Sequence, residues 1–542
     1  MWMTADTRSD PVAFLKDLER PEAYPAPRPT TIHLIATHIS WVFITDHDVW
    51  KVKRPVDYGF VDYTTLERRR HFCHEEVRVN KRLAPDVYLD VVPICLQRGR
   101  HSFTSNGTIV DYAVRMRRLE EAANAESLLR HGDLSHDHLA RFAGRLAAFY
   151  ATVAPARDSR SGDALRVNVD ENFAQVEPFV GRFVDRETFE AVQAWQRESL
   201  EHNANVFATR HEQGRIRDGH GDLRLEHVYF EGDQITVIDA IEFNERFRIA
   251  DVAADVAFPA MELEARGRRD LAASFLADFA MESADYDLYA VIDFYLSYRA
   301  LVRAKVASFL AADPSTASDK AQRKAREAET LFQLARRYSA AHTDLGPVLA
   351  VGGLIGAGKS TLARALGRSL SLPIVDSDRT RKALAGIVAT KQALPQAYSE
   401  AFTHQTYQEL FRRADVVLGS RRGIVLDATF RERDFRRRAR DLAVRHGRPF
   451  RFIEAMCDDA TLRVRLRARA AVGESVSDAT EDLFEHFRRK FESVTELRAD
   501  EHVPVSTTLP LSTQIDAVQS TLPMHGEMPE RGSNITEKPG PP

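Results

Sequence analysis

From Thr31 to about Arg54 the chain alternates apolar and polar positions in short runs, "TIHLIATHISWVFITDHDVWKVKRP". A period of two predicts strands, and "WVFI" and "VWKV" on either side of the polar "TDHD" predict a β-hairpin. The pattern then breaks into a charged helix, "TLERRRHFCHEEVRVNKRLA", which stops before Pro85 because proline cannot continue the hydrogen-bond ladder. Strand-like runs return in "VYLDVVPICL" and "GTIVDYAVRMRRL", and Glu121 to Arg210 reads as mainly helical. A loop opens at Gly219, and two short strands, "HVYF" and "QITVID", flank the turn "EGDQ". Helices resume from Ile249 to about Ala341, where the polar "AADPSTASDKAQRKAREAET" suits a linker or the solvated start of a helix.

At Pro347 the grammar changes. "PVLAVGG", "LPIVDSD", "GIVLDAT" and "FRFIEAMCDD" read as four short strands, and helical runs such as "LARALGRSL" and "TLRVRLRARAA" alternate with them. That alternation predicts a parallel sheet covered on both faces. The expected organisation is a loosely packed, Pro-rich lead-in over residues 1–30, an α+β domain over 31–341 and an α/β domain over 345–505. A tail over 506–542 is too poor in apolar residues to fold. No repeat of solenoid period occurs.

Composition refines this picture only slightly. A chain of 542 residues needs more than one core. A net charge of -4 gives no general reason to expect nucleic acid or an anionic membrane as partner. The arginine runs Arg68–Arg70 and Arg436–Arg438 read as solvated helix faces. Three cysteines, Cys73, Cys95 and Cys457, cannot form a disulfide framework, and none are paired at metal-ligand spacing, which suits a reducing compartment. The start "MWMTADTRSD" has neither a basic end nor an apolar core, and no run approaches the length needed to span a bilayer. The expectation is a cytoplasmic protein.

The chemistry concentrates in two places. "GGLIGAGKST" fits G-x-x-x-x-G-K-[ST], after a predicted strand and opening a predicted helix. Gly353, Gly356, Ala357, Gly358, Lys359, Ser360 and Thr361 are therefore expected to cradle the phosphates of ATP. The glycines let backbone N–H groups turn inward and the helix N-terminus adds favourable field. Lys359 would neutralise the β/γ oxygens and Ser360 would ligate Mg²⁺. Asp427 in "GIVLDATF" stands where a strand-end carboxylate holds the magnesium shell. Ala428 and Thr429 follow it, not the water-activating Glu of an ATPase motor. In "PIVDSDRTRK" Asp378 is the first candidate base for an accepting hydroxyl and Asp376 the second, with Arg379 or Arg381 as substrate clamps. The competing reading is an N-cap aspartate followed by surface charge. Arg465 and Arg469, four apart on one helix face, suit a lid closing on the phosphoryl group or a plain basic surface. This half resembles the P-loop kinases that include gluconate kinases, chloramphenicol phosphotransferase, polynucleotide 5′-kinases and zeta toxins, over about Leu345 to Val505.

The second place is "HGDLRLEHVYF", which resembles the "HGDLHxxN" loop of the aminoglycoside phosphotransferase family, protein-kinase-like in fold. The resemblance extends over about Thr31 to Tyr338. It implies that Asp222 is the catalytic base and that Asp239, in "TVIDAIEF", is a metal-binding aspartate. "DVWKVKRP" puts Lys51 and Lys53 on one strand face. One of them, Lys51 by preference, is implied to contact the α/β-phosphates and to pair with Glu75 or, in better register, Glu76. Asp251 or Asp255 is assigned a structural role. His227 stands where the family has a metal-binding Asn, and imidazole is a poor ligand for Mg²⁺.

These readings combine into a fusion of two phosphotransferase modules that use ATP and Mg²⁺ to phosphorylate a hydroxyl of a small molecule. The alternatives are a regulatory protein with an N-terminal pseudokinase, an ATP-driven motor, which "LDAT" disfavours, and a toxin-like or nucleic-acid 5′-hydroxyl kinase, which lacks an aromatic-interleaved basic groove. Neither the acceptor nor an oligomeric state is specified by the residues.

Overall fold

The alternating run after Thr31 builds an antiparallel sheet of six strands in the order β1-β2-β3-β6-β4-β5. They are β1 (Ile32–Ala36), β2 (Ser40–Thr45), β3 (Asp48–Lys53), β4 (Tyr88–Gln97), β5 (Arg100–Ser102) and β6 (Thr108–Arg117). The computed structural model describes residues 11–59, 61–104, 106–157, 161–340, 345–388, 391–472 and 484–523. The chain divides into two units, Met1–Ala341 and His342–Pro542.

Alternation along β3 sorts its side chains. Trp50 and Val52 join an aromatic layer with Phe14, Tyr24, Phe43 and Phe103. Val49 packs on the opposite layer with Cys73 and Tyr88, and Lys51 and Lys53 share that second face by the two-residue period. The helix Leu66–Asn80, capped by Thr65 accepting from the Arg68 N–H, covers it. The rest of the unit is helical, with two small antiparallel pairs: β7 (Ile216–Asp218) with β10 (Ile249–Asp251), and β8 (Val228–Glu231) with β9 (Gln234–Val237). The helices expected from Ile249 thus begin after a strand, at Val252. This is the α+β fold read from the sequence.

The second unit is an α/β P-loop fold. Its strands are β11 (Val348–Gly352), β12 (Ile374–Asp376), β13 (Ile424–Asp427), β14 (Phe450–Met456) and β15 (His502–Ser506), all parallel, in the order β12-β13-β11-β14-β15. Central β11 is buried at every position, as helices on both faces require.

Three expectations are corrected. The lead-in is packed where it is described: the helix Pro11–Leu18 buries Phe14 and Leu18 completely, closing the aromatic face of the first sheet. The supposed tail starts too early, because β15 completes the second sheet and the helix Leu511–Gln519 buries Val518 against it; residues 524–542 lie outside the described ones. The arginine runs are not simply solvated. Arg69 and Arg436 are buried and pair with Asp111 at 2.8 Å and Glu496 at 2.5 Å, since buried charges require partners. Among the described residues no helix is long and apolar enough to cross a membrane.

Candidate active sites

In the first unit, loop and sheet meet at a chain of charges. Lys51 Nζ lies 2.6 Å from Asp239 Oδ1 and 2.8 Å from Glu76 Oε1. Lys53 Nζ lies 2.7 Å from Glu76 Oε2 and also bonds Glu242. Glu76, wholly buried, therefore serves both lysines, whereas Glu75 is turned to Arg78 at 2.7 Å. Burial opposes the Lys51 ammonium, but Asp239, Glu76 and Glu242 outweigh it and hold its pKa well above the ordinary lysine value. Burial opposes the Glu76 carboxylate as well, and the two lysines bring it down.

Asp239 sits in a left-handed conformation, φ 65°, which non-glycine residues adopt sparingly and aspartate more readily than most. The Tyr88 hydroxyl accepts from the Asp239 N–H at 3.0 Å and the Asn80 side chain accepts from the next N–H at 2.8 Å, fixing the turn. Its carboxylate, 43% exposed, can be reached from solvent while Lys51 holds it.

The loop carrying Asp222 is anchored by Asp255, whose carboxylate accepts from the N–H groups of His220 at 2.7 Å and Gly221 at 2.9 Å and from the Tyr150 hydroxyl at 2.6 Å. A Cβ at residue 219 would meet Asp255 at 2.3 Å, so only glycine fits there. Asp251 instead pairs with Arg210 at 2.7 Å. His227 Nδ1 bonds the Asp222 main-chain oxygen at 2.9 Å, and its Nε2 stands 3.6 Å from the Asp239 carboxylate. Burial, with His227 nearby, lowers the His220 pKa to about 4. The structure thus brings Lys51, Lys53, Glu76, Asp222, Asp239 and His227 into one region and adds Glu242, Tyr63 and Asn80, which no motif signalled. Only the Tyr63 hydroxyl on Glu242, at 2.6 Å, and the lysine contact reveal Glu242.

In the second unit the loop after β11 has the geometry that phosphate requires. Gly353, Gly356 and Gly358 have φ of 130°, 79° and 86°, and a Cβ at 353 would strike the Ala455 oxygen at 2.5 Å. Lys359 Nζ donates to the Leu354 oxygen at 2.9 Å across the loop. Ser360 hydrogen-bonds Asp427, so these residues fit a magnesium–nucleotide: an open cradle of N–H groups beside a hydroxyl–carboxylate pair. A cavity of about 320 Å³ bounded by Gly356, Gly358, Thr361, Arg465, Thr507 and Gln514 adjoins it.

Asp376 and Asp427 are register partners at the ends of β12 and β13. Burial, then the Asp427 charge, pushes the Asp376 pKa up to about 7, and burial raises Asp427 too. Asp376 also caps the helix Ser377–Leu384 by accepting from the Arg379 N–H at 2.8 Å. Asp378, half-buried in the first turn of that helix, adds its charge to Asp427. Arg381 is buried and spans to Tyr398 and Thr403. Arg465 donates to Thr507 Oγ1 at 2.9 Å and to its main-chain oxygen at 2.8 Å, beside Gly358. Arg469 lies on the same helix, Asp459–Val472, and its side chain is outside the described residues.

An acid whose pKa rises on folding holds its proton more tightly in the folded chain. The stability it confers at low pH is therefore lost as pH climbs from the ordinary carboxylate range to about 7. Asp376→Asn should stabilise the nucleotide-free second unit at pH 8 by roughly 2–4 kcal/mol and by less at pH 5. Hydrogen exchange across residues 345–523 in increasing urea reads this directly, and an equal gain at both pH values would refute the assignment.

Residues 348–494 match the AAA domain family. Solved structures similar to the chain include a gluconokinase from Sinorhizobium meliloti 1021, 18% identical over 33% of this chain and 91% of that one, TM-score 0.25. They also include aminoglycoside 2′-phosphotransferase-IIIa in its GDP complex, 14% identical over 57% of this chain and 94% of that one, TM-score 0.35. The uncharacterized protein Rv2004c of Mycobacterium tuberculosis (strain H37Rv) is 30% identical over 434 residues, 78% of this chain and 83% of its own. The uncharacterized protein Mb2027c of Mycobacterium bovis matches to the same extent. That span reaches well beyond the AAA domain match alone, and the chain belongs to the family of these mycobacterial proteins.

Proposed function

We propose that the protein is an ATP-dependent phosphotransferase with one transfer site in each unit, each directed at a hydroxyl of a small molecule. The observation that carries this reading is the repetition, on two unlike scaffolds, of a lysine and a carboxylate set beside further aspartates: Lys51, Asp239 and Asp222 in one, Lys359, Asp427 and Asp376 or Asp378 in the other. Bound magnesium–ATP supplies the γ-phosphoryl group and offsets its charge. In the first unit Glu76 fixes the Lys51 ammonium against Asp239, and Asp222 orients the accepting hydroxyl and takes its proton. In the second unit the glycine turns present N–H groups, Lys359 adds positive charge, and Ser360 with Asp427 would hold the cation. Asp376, poised near neutral pH, or Asp378 takes the proton.

His227 supports a second reading, in which the first unit binds nucleotide to regulate the other without turnover. The test is acceptor-dependent ADP release over a panel of hydroxyl compounds in a Lys359→Ala background. Asp222→Asn should lower it ~10²–10⁴-fold, and His227→Asn should retain or raise it. Release unchanged by Asp222→Asn would favour the regulatory reading.

A further inference from the structure

The helical part of the first unit encloses a cavity of about 650 Å³ lined by Asp222, a volume suited to a small molecule. Its walls are largely apolar and aromatic, including Phe243, Phe247, Tyr298 and Phe309. A polyol or a polycation would have to be dehydrated there with few partners in return.

Most of the cations on these walls are already matched. Arg246 holds Glu171 at 2.6 Å, Arg299 lies 3.6 Å from Asp255, and Asp251 is taken by Arg210. Lys305 differs. Its ammonium donates to two neutral amide oxygens, Asn172 Oδ1 at 2.6 Å and Gln175 Oε1 at 2.8 Å. Its third N–H has no partner among the described residues. Burial lowers the Lys305 pKa to about 8, with Glu171 pulling it partly back, so the group is mainly cationic at neutral pH. On the same wall the buried Asn168 Oδ1 accepts no hydrogen bond among the described residues.

We propose that this cavity is the acceptor subsite of the first unit and takes an aromatic alcohol or phenol carrying one carboxylate, with the carboxylate on Lys305 and the hydroxyl at Asp222. The proposal rests on the phosphotransfer reading. The acceptor oxygen bonds the γ-phosphorus of ATP, the bond from that phosphorus to the bridging oxygen breaks, the hydroxyl proton passes to Asp222, and ADP leaves. The unpaired ammonium makes a charge-assisted bond to the carboxylate, the aromatic walls cover the ring, and Asn168 accepts from a second donor where the acceptor has one.

The test uses the full chain with Lys359→Ala and titrates 3-(4-hydroxyphenyl)propionate, its methyl ester, tyramine and kanamycin by calorimetry, with product formation followed in parallel. The carboxylate should bind at least about ten-fold more tightly than the ester or tyramine. Lys305→Met should remove that advantage, Lys305→Arg should retain part of it, and thermal melts of both variants check folding. Preference for tyramine or kanamycin, no effect of Lys305→Met, or no binding of any probe would overturn the proposal. Carboxylate binding that depends on Lys305 without phosphorylated product would leave the subsite standing and defeat the phosphotransfer reading. Product from kanamycin alone would do the reverse.

Discussion

Lys359→Ala should reduce phosphoryl transfer by the second unit ~10²–10³-fold, the loss typical when one preorganised charge donor is removed from a developing anion. The ammonium is part of the site before any ligand arrives. It closes the loop by donating to the Leu354 oxygen and lowers the Asp427 pKa against the burial that raises it. Removing it leaves two buried, neighbouring carboxylates with less positive charge nearby, so Asp376 and Asp427 should hold their protons to higher pH. The expected signature is therefore double: lost turnover and a pH profile moved upward. Lys359→Arg should rescue little, because a planar guanidinium fork does not reproduce the compact ammonium that donates to the Leu354 oxygen. Transfer that persists in Lys359→Ala while Asp222→Asn is also present would show that the loop is not the site.

Glu76→Ala should destabilise the first unit by about 3–5 kcal/mol, the range found when one partner of a buried ion pair is removed. Glu76 is wholly buried and meets both Lys51 and Lys53. Without it Lys53 retains Glu242 and Lys51 retains Asp239, but a chain of five charges becomes two separate pairs. The β3 strand loses its link to the helix Leu66–Asn80 at this point. Urea denaturation followed by hydrogen exchange over 31–120 should show early opening of that helix. Glu76→Gln should recover part of the packing and none of the charge. A loss below about 1 kcal/mol would mean that Glu242 and Asp239 suffice.

Much of both sites can be read along the chain because the groups involved lie within single turns. "GGLIGAGKST" places its glycines where positive φ is needed and its lysine and serine at the helix start. "HGDL" and "VID" likewise carry their aspartates on adjoining loops. Register favours Glu76 over Glu75, and the structure turns one inward and the other to Arg78. Other features needed distant partners. Glu242 is 189 positions from Lys53, the lead-in helix gains its value only from an aromatic layer assembled elsewhere, and Arg69 and Arg436 look like surface charge until Asp111 and Glu496 meet them.

The sequence by itself determined the two scaffolds, the phosphate loop and the order of their aspartates, since period, turn residues and motif spacing are local properties of a backbone. Only the tertiary structure decided that one glutamate serves two lysines, that burial and the Asp427 charge raise the proton affinity of Asp376, and that an aromatic cavity with an unmatched ammonium lies beside Asp222. Those properties depend on burial and on distances of a few ångströms between segments far apart in the chain, where electrostatic interactions strengthen as water is excluded.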